Sequence, residues 1–385
     1  MAFGAFSHPD GYSLDVQSPL YPSTFLRSVM PIPCHSHNDQ WRHTPLHAAL
    51  GTGCISIEAD IWASTQPNDD ALFVGHDRGA MLPDRTLQKM YIQPLMNILA
   101  LHNLDASSPD AKPEAKSGEK ADIESEKKPN GVFVMSPLTS LTLLLDFKSN
   151  TDEILPSLQS AIQPLRQKDW LTYWDATLGK RIERPITIVA SGSADFDLLL
   201  RGGNSSTNAP TDITRYVFYD APLDDLVQPG DPDALPTDAA INIDLEHVSD
   251  STARAKLRAD MRSSQIYQYK YNPSNSHLAS TSLANSIGAV SPILSHPDSA
   301  QRKVIRGQIR AARNRGLISR YWGTPRWPRG LRDSVWESLE SEGVGLLSVD
   351  DLRGVRKGEW GRGAGGRFWD RAHEGRMGWM PKSDR

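Results

Sequence analysis

Residues 138–150, "LTSLTLLLDFKSN", carry a run of leucines that ends on Asp146-Phe147-Lys148. An apolar run without alternation suits a strand buried on both faces, which is the situation in parallel α/β folds where helices cover the sheet. Seven further segments have strand character: "SVMPIPCHS", "CISIEADIW", "RPITIVASGS", "TRYVFYDAP", "SQIYQYKYNPS", "GLISRYWGTP" and "GVGLLSVDDL". Segments of helical period lie between many of them, among them "PLHAALGTG", "RTLQKMYIQPLMNILALHN", "DEILPSLQSAIQPLRQKDWL", "DSAQRKVIRGQIRAARNRG" and "DSVWESLESEG". Eight strands alternating with helices predict a closed TIM (β/α)8 barrel, a fold of about 250 residues that tolerates insertions. An open doubly wound sheet would normally carry a glycine-rich phosphate fingerprint after its first strand, and none is present here.

The barrel is expected over residues 28–353, after an N-terminal extension of residues 1–27 and before a Gly-, Arg- and Trp-rich tail at 354–385. Within it, about residues 104–131 are rich in Lys, Glu, Ser, Ala and Pro and poor in large apolar side chains. That composition predicts a disordered insertion. A net charge of −4 argues against nucleic acid as a partner. The first 30 residues resemble neither a signal peptide nor a transit peptide, and no apolar run is long enough for a membrane span, so an intracellular location is expected, with at most peripheral membrane contact. The two cysteines, Cys34 and Cys54, are expected as buried free thiols rather than as a bridge. The basic stretch "RKVIRGQIRAARNR" is expected as a solvated helix face, with contact to anionic lipid as the alternative.

Catalytic groups of such barrels sit where strands run out at the C-terminal rim. Strand one ends in His35-Ser36-His37-Asn38-Asp39, strand two carries Glu58-Ala59-Asp60, the short extended piece after it ends in His76-Asp77, and the leucine strand ends in Asp146-Phe147-Lys148. Residues two apart on a strand share a face, so Glu58 and Asp60 aim together, and Asp146 adds a third oxygen donor. Carboxylates inside apolar strands are costly unless they hold something, and an all-oxygen set suits a hard divalent cation, Mg²⁺ or Ca²⁺. Lys148 is placed to hold a phosphate. His37 and His76 are placed as a general acid and base. Trp322, after an apolar strand, is a candidate for the substrate pocket. His43 and His47 are expected in solvent-facing or packing roles.

These motifs carry a resemblance. "HNDQWRHTPLHAALGTGCISIEADIW", "LFVGHDRGAMLPDRTLQKMYIQPLMNIL", "LTLLLDFK", "RYWGTPRWP" and "GVGLLSVDDL" are similar to the phospholipase-C-like phosphodiesterase superfamily and, within it, to the fungal altered inheritance of mitochondria protein 6 family. The resemblance implies a TIM barrel, one divalent cation, and phosphodiester cleavage of the kind shared by glycerophosphodiester phosphodiesterases and sphingomyelinase D-like enzymes. It implies His37 and His76 as the catalytic pair, Glu58, Asp60 and Asp146 as metal ligands, and Lys148 as the phosphate contact. The chain departs from the glycerophosphodiester pattern: Asn38-Asp39 follows the first histidine in place of Arg-Gly, and Glu-Asn-Thr is absent after Pro45. The implied substrate is a lipid-derived phosphodiester. The alternatives are a zinc amidohydrolase-type barrel using His35 and His37, and a non-catalytic binding barrel.

Overall fold

The computed structural model describes residues 25–66, 68–104, 128–202, 215–227, 269–291 and 296–356. Most of the N-terminal extension, most of the expected insertion and nearly all of the tail lie outside the described residues.

Eleven strands are described: β1 (Ile32–Ser36), β2 (Cys54–Ala63), β3 (Leu72–Val74), β4 (Leu141–Phe147), β5 (Tyr173–Asp175), β6 (Lys180–Ile182), β7 (Ile186–Gly192), β8 (Val217–Pro222), β9 (Ser276–Ser282), β10 (Ile318–Trp322) and β11 (Leu346–Val349). Eight of them run parallel in the order β1-β2-β4-β7-β8-β9-β10-β11, and β11 pairs back onto β1. This is the closed barrel expected from the alternation. β3 pairs antiparallel to the end of β2 and so brings the residues after Val74 to the same rim. β5 and β6 form a separate hairpin.

One strand candidate is misplaced. Residues 264–268 of "SQIYQYKYNPS" lie outside the described residues, Asn272 to Asn275 form a turn, and the barrel strand is Ser276–Ser282. The shift follows from what this strand faces. "SHLASTS" is poor in large apolar groups because several of its side chains meet polar partners: Ser280 donates to Asp220, and His277 lies 3.2 Å from Thr142. His277 is therefore a buried strand residue and not part of a loop.

The helices follow local signals. The short α1 (His47–Thr52) ends at Gly53, whose φ of 97° is a left-handed conformation that glycine adopts without penalty. α2 (Gln93–His102) has Pro94 at its start, and the residues before it, Gln88–Ile92, are wound as a π-turn. Proline lacks an N–H, so a first turn suits it best, although the helix Thr151–Gln167 carries Pro156 and Pro164 in its interior. α3 (Thr151–Gln167), α4 (Phe196–Leu200), α5 (Leu283–Ile287), α6 (Ser299–Asn314), α7 (Arg329–Glu342) and α8 (Leu352–Arg356) complete the set among the described residues. α6 opens on a capping box between Asp298 and Gln301. Two basic residues of α6, Arg302 and Arg306, are not purely solvated. They bind Glu342 of α7 at 2.9 and 2.7 Å. No helix among the described residues is long and apolar enough to cross a membrane.

The cysteines contradict the free-thiol expectation. Cys34 on β1 and Cys54 on β2 form a disulfide, with Cα atoms 4.7 Å apart and a sequence separation of 20. The reason is topological: β1 and β2 are adjacent parallel strands, and pairing them sets the two fully buried side chains together. Closing a loop of this length is worth about 3 kcal/mol through the unfolded chain. The protein denatured without reductant is expected to show no reactive thiol, and the paired change Cys34→Ser and Cys54→Ser to lower unfolding free energy in urea by about that amount. Two titratable thiols in the unreduced protein would rule the bridge out.

Candidate active site

Glu58, Asp60 and Asp146 each present a carboxylate oxygen within 4.8 Å of the others. The register explains the convergence. Asp60 and Asp146 are direct partners across β2 and β4, and Glu58 lies two residues back on the same face as Asp60. Each carboxylate has one oxygen engaged. Glu58 Oε2 contacts His35 and Arg320, Asp60 Oδ2 contacts His76 Nδ1 at 2.9 Å, and Asp146 Oδ2 accepts from Lys148 Nζ at 2.6 Å. The remaining oxygens, Asp60 Oδ1 and Asp146 Oδ1, are buried with no hydrogen-bond partner, although Lys148 Nζ stands 3.6 Å from Asp60 Oδ1. Buried unpaired carboxylate oxygens are costly, and two aimed at one point fit a cation. Gly192, at the end of β7, leaves room for them: a Cβ there would lie 1.8 Å from Asp146 Oδ1.

The electrostatics reflect this crowding. Burial raises the pKa of Asp60 to about 6, with the Asp146 charge adding to the rise and Lys148 opposing it. Asp146 is raised by burial too, against its bond to Lys148. Glu58 behaves differently. Burial works toward its neutral form, but the His35 hydrogen bond and the Arg320 charge outweigh it and hold Glu58 well below the usual carboxylate range. Lys148, between Asp146 and Asp60, stays firmly protonated: burial works against the charge, and the two carboxylates prevail.

The two candidate histidines flank the carboxylates. His37 leaves the end of β1 and sets Nδ1 2.9 Å from Asp350 Oδ1 and Nε2 3.8 Å from Glu58 Oε1. Burial works against its protonation, yet the Asp350 bond and the charge of Glu58 lift its pKa above the ordinary histidine value. His76 leaves β3 bound to Asp60 through Nδ1, with its side chain half exposed, and the ring of Trp41 meets it edge-on at 5.7 Å. The loop that carries His37 is fixed from below by Asp39, which is fully buried. It accepts from Ser36 Oγ at 2.7 Å, Arg42 Nε at 3.2 Å, Leu46 N at 2.6 Å and Tyr91 OH at 3.2 Å.

Of the residues singled out in the sequence, the structure thus assembles His37, His76, Glu58, Asp60, Asp146 and Lys148. Trp322 ends β10 at the rim and is 41% exposed. His43 is exposed, and His47 is half-buried with its ring against the Pro45 carbonyl. His35 is not a free ligand. Its Nδ1 meets Ser56 Oγ at 2.7 Å, and its Nε2 meets Glu58 and Arg320. Burial, reinforced by Arg320, lowers its pKa to about 4 and keeps it neutral. The His35/His37 zinc alternative therefore lacks one of its two ligands.

Three participants were not anticipated: Asp350 behind His37, Arg320 behind Glu58, and Asp220, which lies 3.4 Å from Arg320. Each is a charge in or at the end of an apolar strand, the same signal that marks Glu58, Asp60 and Asp146.

Residues 23–220 match the profile described as the AIM6-like phosphodiesterase domain. That span contains all six assembled residues and ends before Arg320 and Asp350. The chain is 31% identical over 349 residues to "Altered inheritance of mitochondria protein 6 homolog" of Arthroderma benhamiae, covering 88% of each chain. It is 30% identical over 324 residues to "Altered inheritance of mitochondria protein 6" of Eremothecium gossypii, covering 84% of this chain and 68% of that one. The Saccharomyces cerevisiae S288c protein of the same name is 29% identical over 330 residues, with 85% and 70% covered. No solved structure matches the chain. With the family model matched over 23–220 and relatives matched over most of the chain, the chain belongs to the altered inheritance of mitochondria protein 6 family, whose domain is the AIM6-like phosphodiesterase domain.

Proposed function

We propose that the protein is a divalent-cation-dependent phosphoric diester hydrolase acting on a lipid-derived phosphodiester. The observation that carries this reading is the convergence of three carboxylates, each with one oxygen left to donate, between two histidines and a lysine. Glu58, Asp60 and Asp146 would hold the cation. Once bound, it stabilises the negative charge that develops on the phosphate oxygens. Lys148 binds a non-bridging phosphate oxygen and shares that work. One of His37 and His76 takes the proton of the attacking hydroxyl or water as its oxygen bonds to phosphorus. The other donates a proton to the leaving oxygen as the second ester bond breaks. Both rings have Nδ1 held by a carboxylate, which orients each imidazole and turns Nε2 to the working side, where in His37 it stands 3.8 Å from Glu58 Oε1.

A lipid-derived substrate is supported by the rim. Trp322, the last residue of β10, is 41% exposed, and Trp41 and Trp327, in the segments that follow β1 and β10, are 69% and 80% exposed. Trp41 lies against His76, and Arg326, next to Trp327, binds Asp350 at 2.9 Å. Exposed tryptophans at one mouth suit the interfacial region of a bilayer, where an amphipathic ring finds both an apolar and a polar neighbour.

Three outcomes follow. Hydrolysis across a panel of glycerol- and sphingosine-based phosphodiesters is expected only with Mg²⁺ or Ca²⁺ restored after chelation, and His37→Ala is expected to lower kcat by roughly 10²- to 10⁴-fold. Cleavage of no diester with any metal, which a binding barrel would give, or full activity of His37→Ala, would overturn the mechanism. Asp350→Asn removes the negative charge beside His37 and weakens the hydrogen bond that helps raise its pKa, so one limb of the kcat/KM pH profile is expected to move to lower pH. A shifted alkaline limb makes His37 the acid, a shifted acid limb makes it the base, and an unmoved profile excludes it from proton transfer. Trp41→Ala with Trp327→Ala is expected to weaken co-sedimentation with phosphatidylcholine vesicles while leaving turnover of a short-chain soluble diester nearly unchanged. Unaltered vesicle binding would remove the membrane contact.

A further inference from the structure

The two oxygens of Glu58 stand in unlike surroundings. Oε2 closes a triangle with His35 Nε2 at 2.8 Å and Arg320 Nη1 at 2.7 Å, the third edge, between Arg320 and His35, being 2.7 Å. Oε1 faces the site, with His37 Nε2 at 3.8 Å. Arg320 lies on β10, three strands away from β2 around the barrel, so this contact crosses the interior. The guanidinium is buried and held on its other side: Nε donates to Ser280 Oγ at 2.9 Å, and Nη2 lies 3.4 Å from Asp220 Oδ2. Asp220 is fixed in turn by Ser191 Oγ at 2.9 Å and Ser280 Oγ at 2.6 Å.

The cations and rings that engage the other two carboxylates are less constrained. His76 is half exposed, and Lys148 is a single point charge on a flexible stem. Both partners of Glu58 are buried and held from several sides, His35 by Ser56 and Arg320 by Ser280 and Asp220, and Arg320 is the one of the two that carries a fixed charge. Ca²⁺ readily takes both oxygens of a carboxylate and six to eight ligands, whereas Mg²⁺ demands six in near-octahedral geometry and keeps several waters. We infer that Arg320, anchored by Asp220, is a positioning residue that confines Glu58 to one-oxygen ligation and thereby biases the site toward Mg²⁺ over Ca²⁺. The inference rests on the proposed cation site, and adds which residue outside the triad sets its selectivity.

The test is binding, not turnover. Mg²⁺ and Ca²⁺ are each titrated calorimetrically into the chelator-stripped full-length chain. Arg320→Met would strand two buried carboxylates and endanger folding. The working variants are therefore Arg320→Lys, which keeps the charge but cannot bridge Glu58 and Asp220, and Asp220→Asn, which keeps one acceptor oxygen for a serine hydroxyl but removes the charge that holds the guanidinium. Wild type is expected to prefer Mg²⁺. The ratio of Mg²⁺ to Ca²⁺ affinity is expected to fall by roughly 10- to 100-fold in Arg320→Lys and in the same direction in Asp220→Asn, the range typical of residues that orient a metal ligand. If Arg320→Lys does not fold, Asp220→Asn decides. Equal weakening of both ions marks Arg320 as merely structural and overturns the inference, as does a wild type that prefers Ca²⁺. A wild type that binds neither ion overturns the cation site itself.

Discussion

The structure turns on a charge imbalance at the mouth of the barrel. Four carboxylates, Glu58, Asp60, Asp146 and Asp220, face two permanently cationic side chains, Arg320 and Lys148. Burial makes the two uncompensated negative charges expensive, and the cost shows in Asp60, whose pKa stands near 6, and in the raised values of Asp146 and Asp220. Glu58 escapes because Arg320 and His35 hold it directly. A divalent cation would neutralise the two-charge deficit. That balance gives the carboxylates a reason to be buried together, which packing alone does not supply.

Barrel closure brings these groups together. β2 and β4 are neighbours and put Asp60 beside Asp146. β1 and β11 are neighbours and put His37 beside Asp350, 313 residues away in sequence. The Cys34–Cys54 bridge fastens β1 to β2 one residue before His35, and β3 folds back on β2 to deliver His76. The histidines of the site therefore arrive on short, pinned segments. Asp39 adds four hydrogen bonds under the first of them.

The family assignment and the local chemistry support each other in different halves of the chain. The matched domain reaches residue 220 and includes the carboxylates, the lysine and both histidines. The groups that orient them, Arg320 and Asp350, come from β10 and the residue after β11. A site split in this way depends on the closing of the barrel, since neither half alone pairs all of its charges.

The sequence by itself determined the barrel, through a double-sided leucine strand and repeated strand-helix alternation, and it determined the triad, through carboxylates set two apart or embedded in apolar strands. Both signals are local and periodic. It misjudged features that depend on contacts distant in sequence. The cysteines are sparse, and only the adjacency of β1 and β2 makes them a bridge. The ninth strand is too polar to show an apolar pattern, because Ser280 and His277 serve partners on other barrel strands while Thr281 and Ser282 bond residues of the flanking turns. His35 stands in a histidine-rich motif that suggests a metal pair, and only the arrival of Arg320 from 285 residues away occupies its ring. Composition and spacing report what a residue is able to do. Closure of the sheet decides which charges meet, because Coulomb and hydrogen-bond energies depend on distances of a few ångströms that the linear order does not contain.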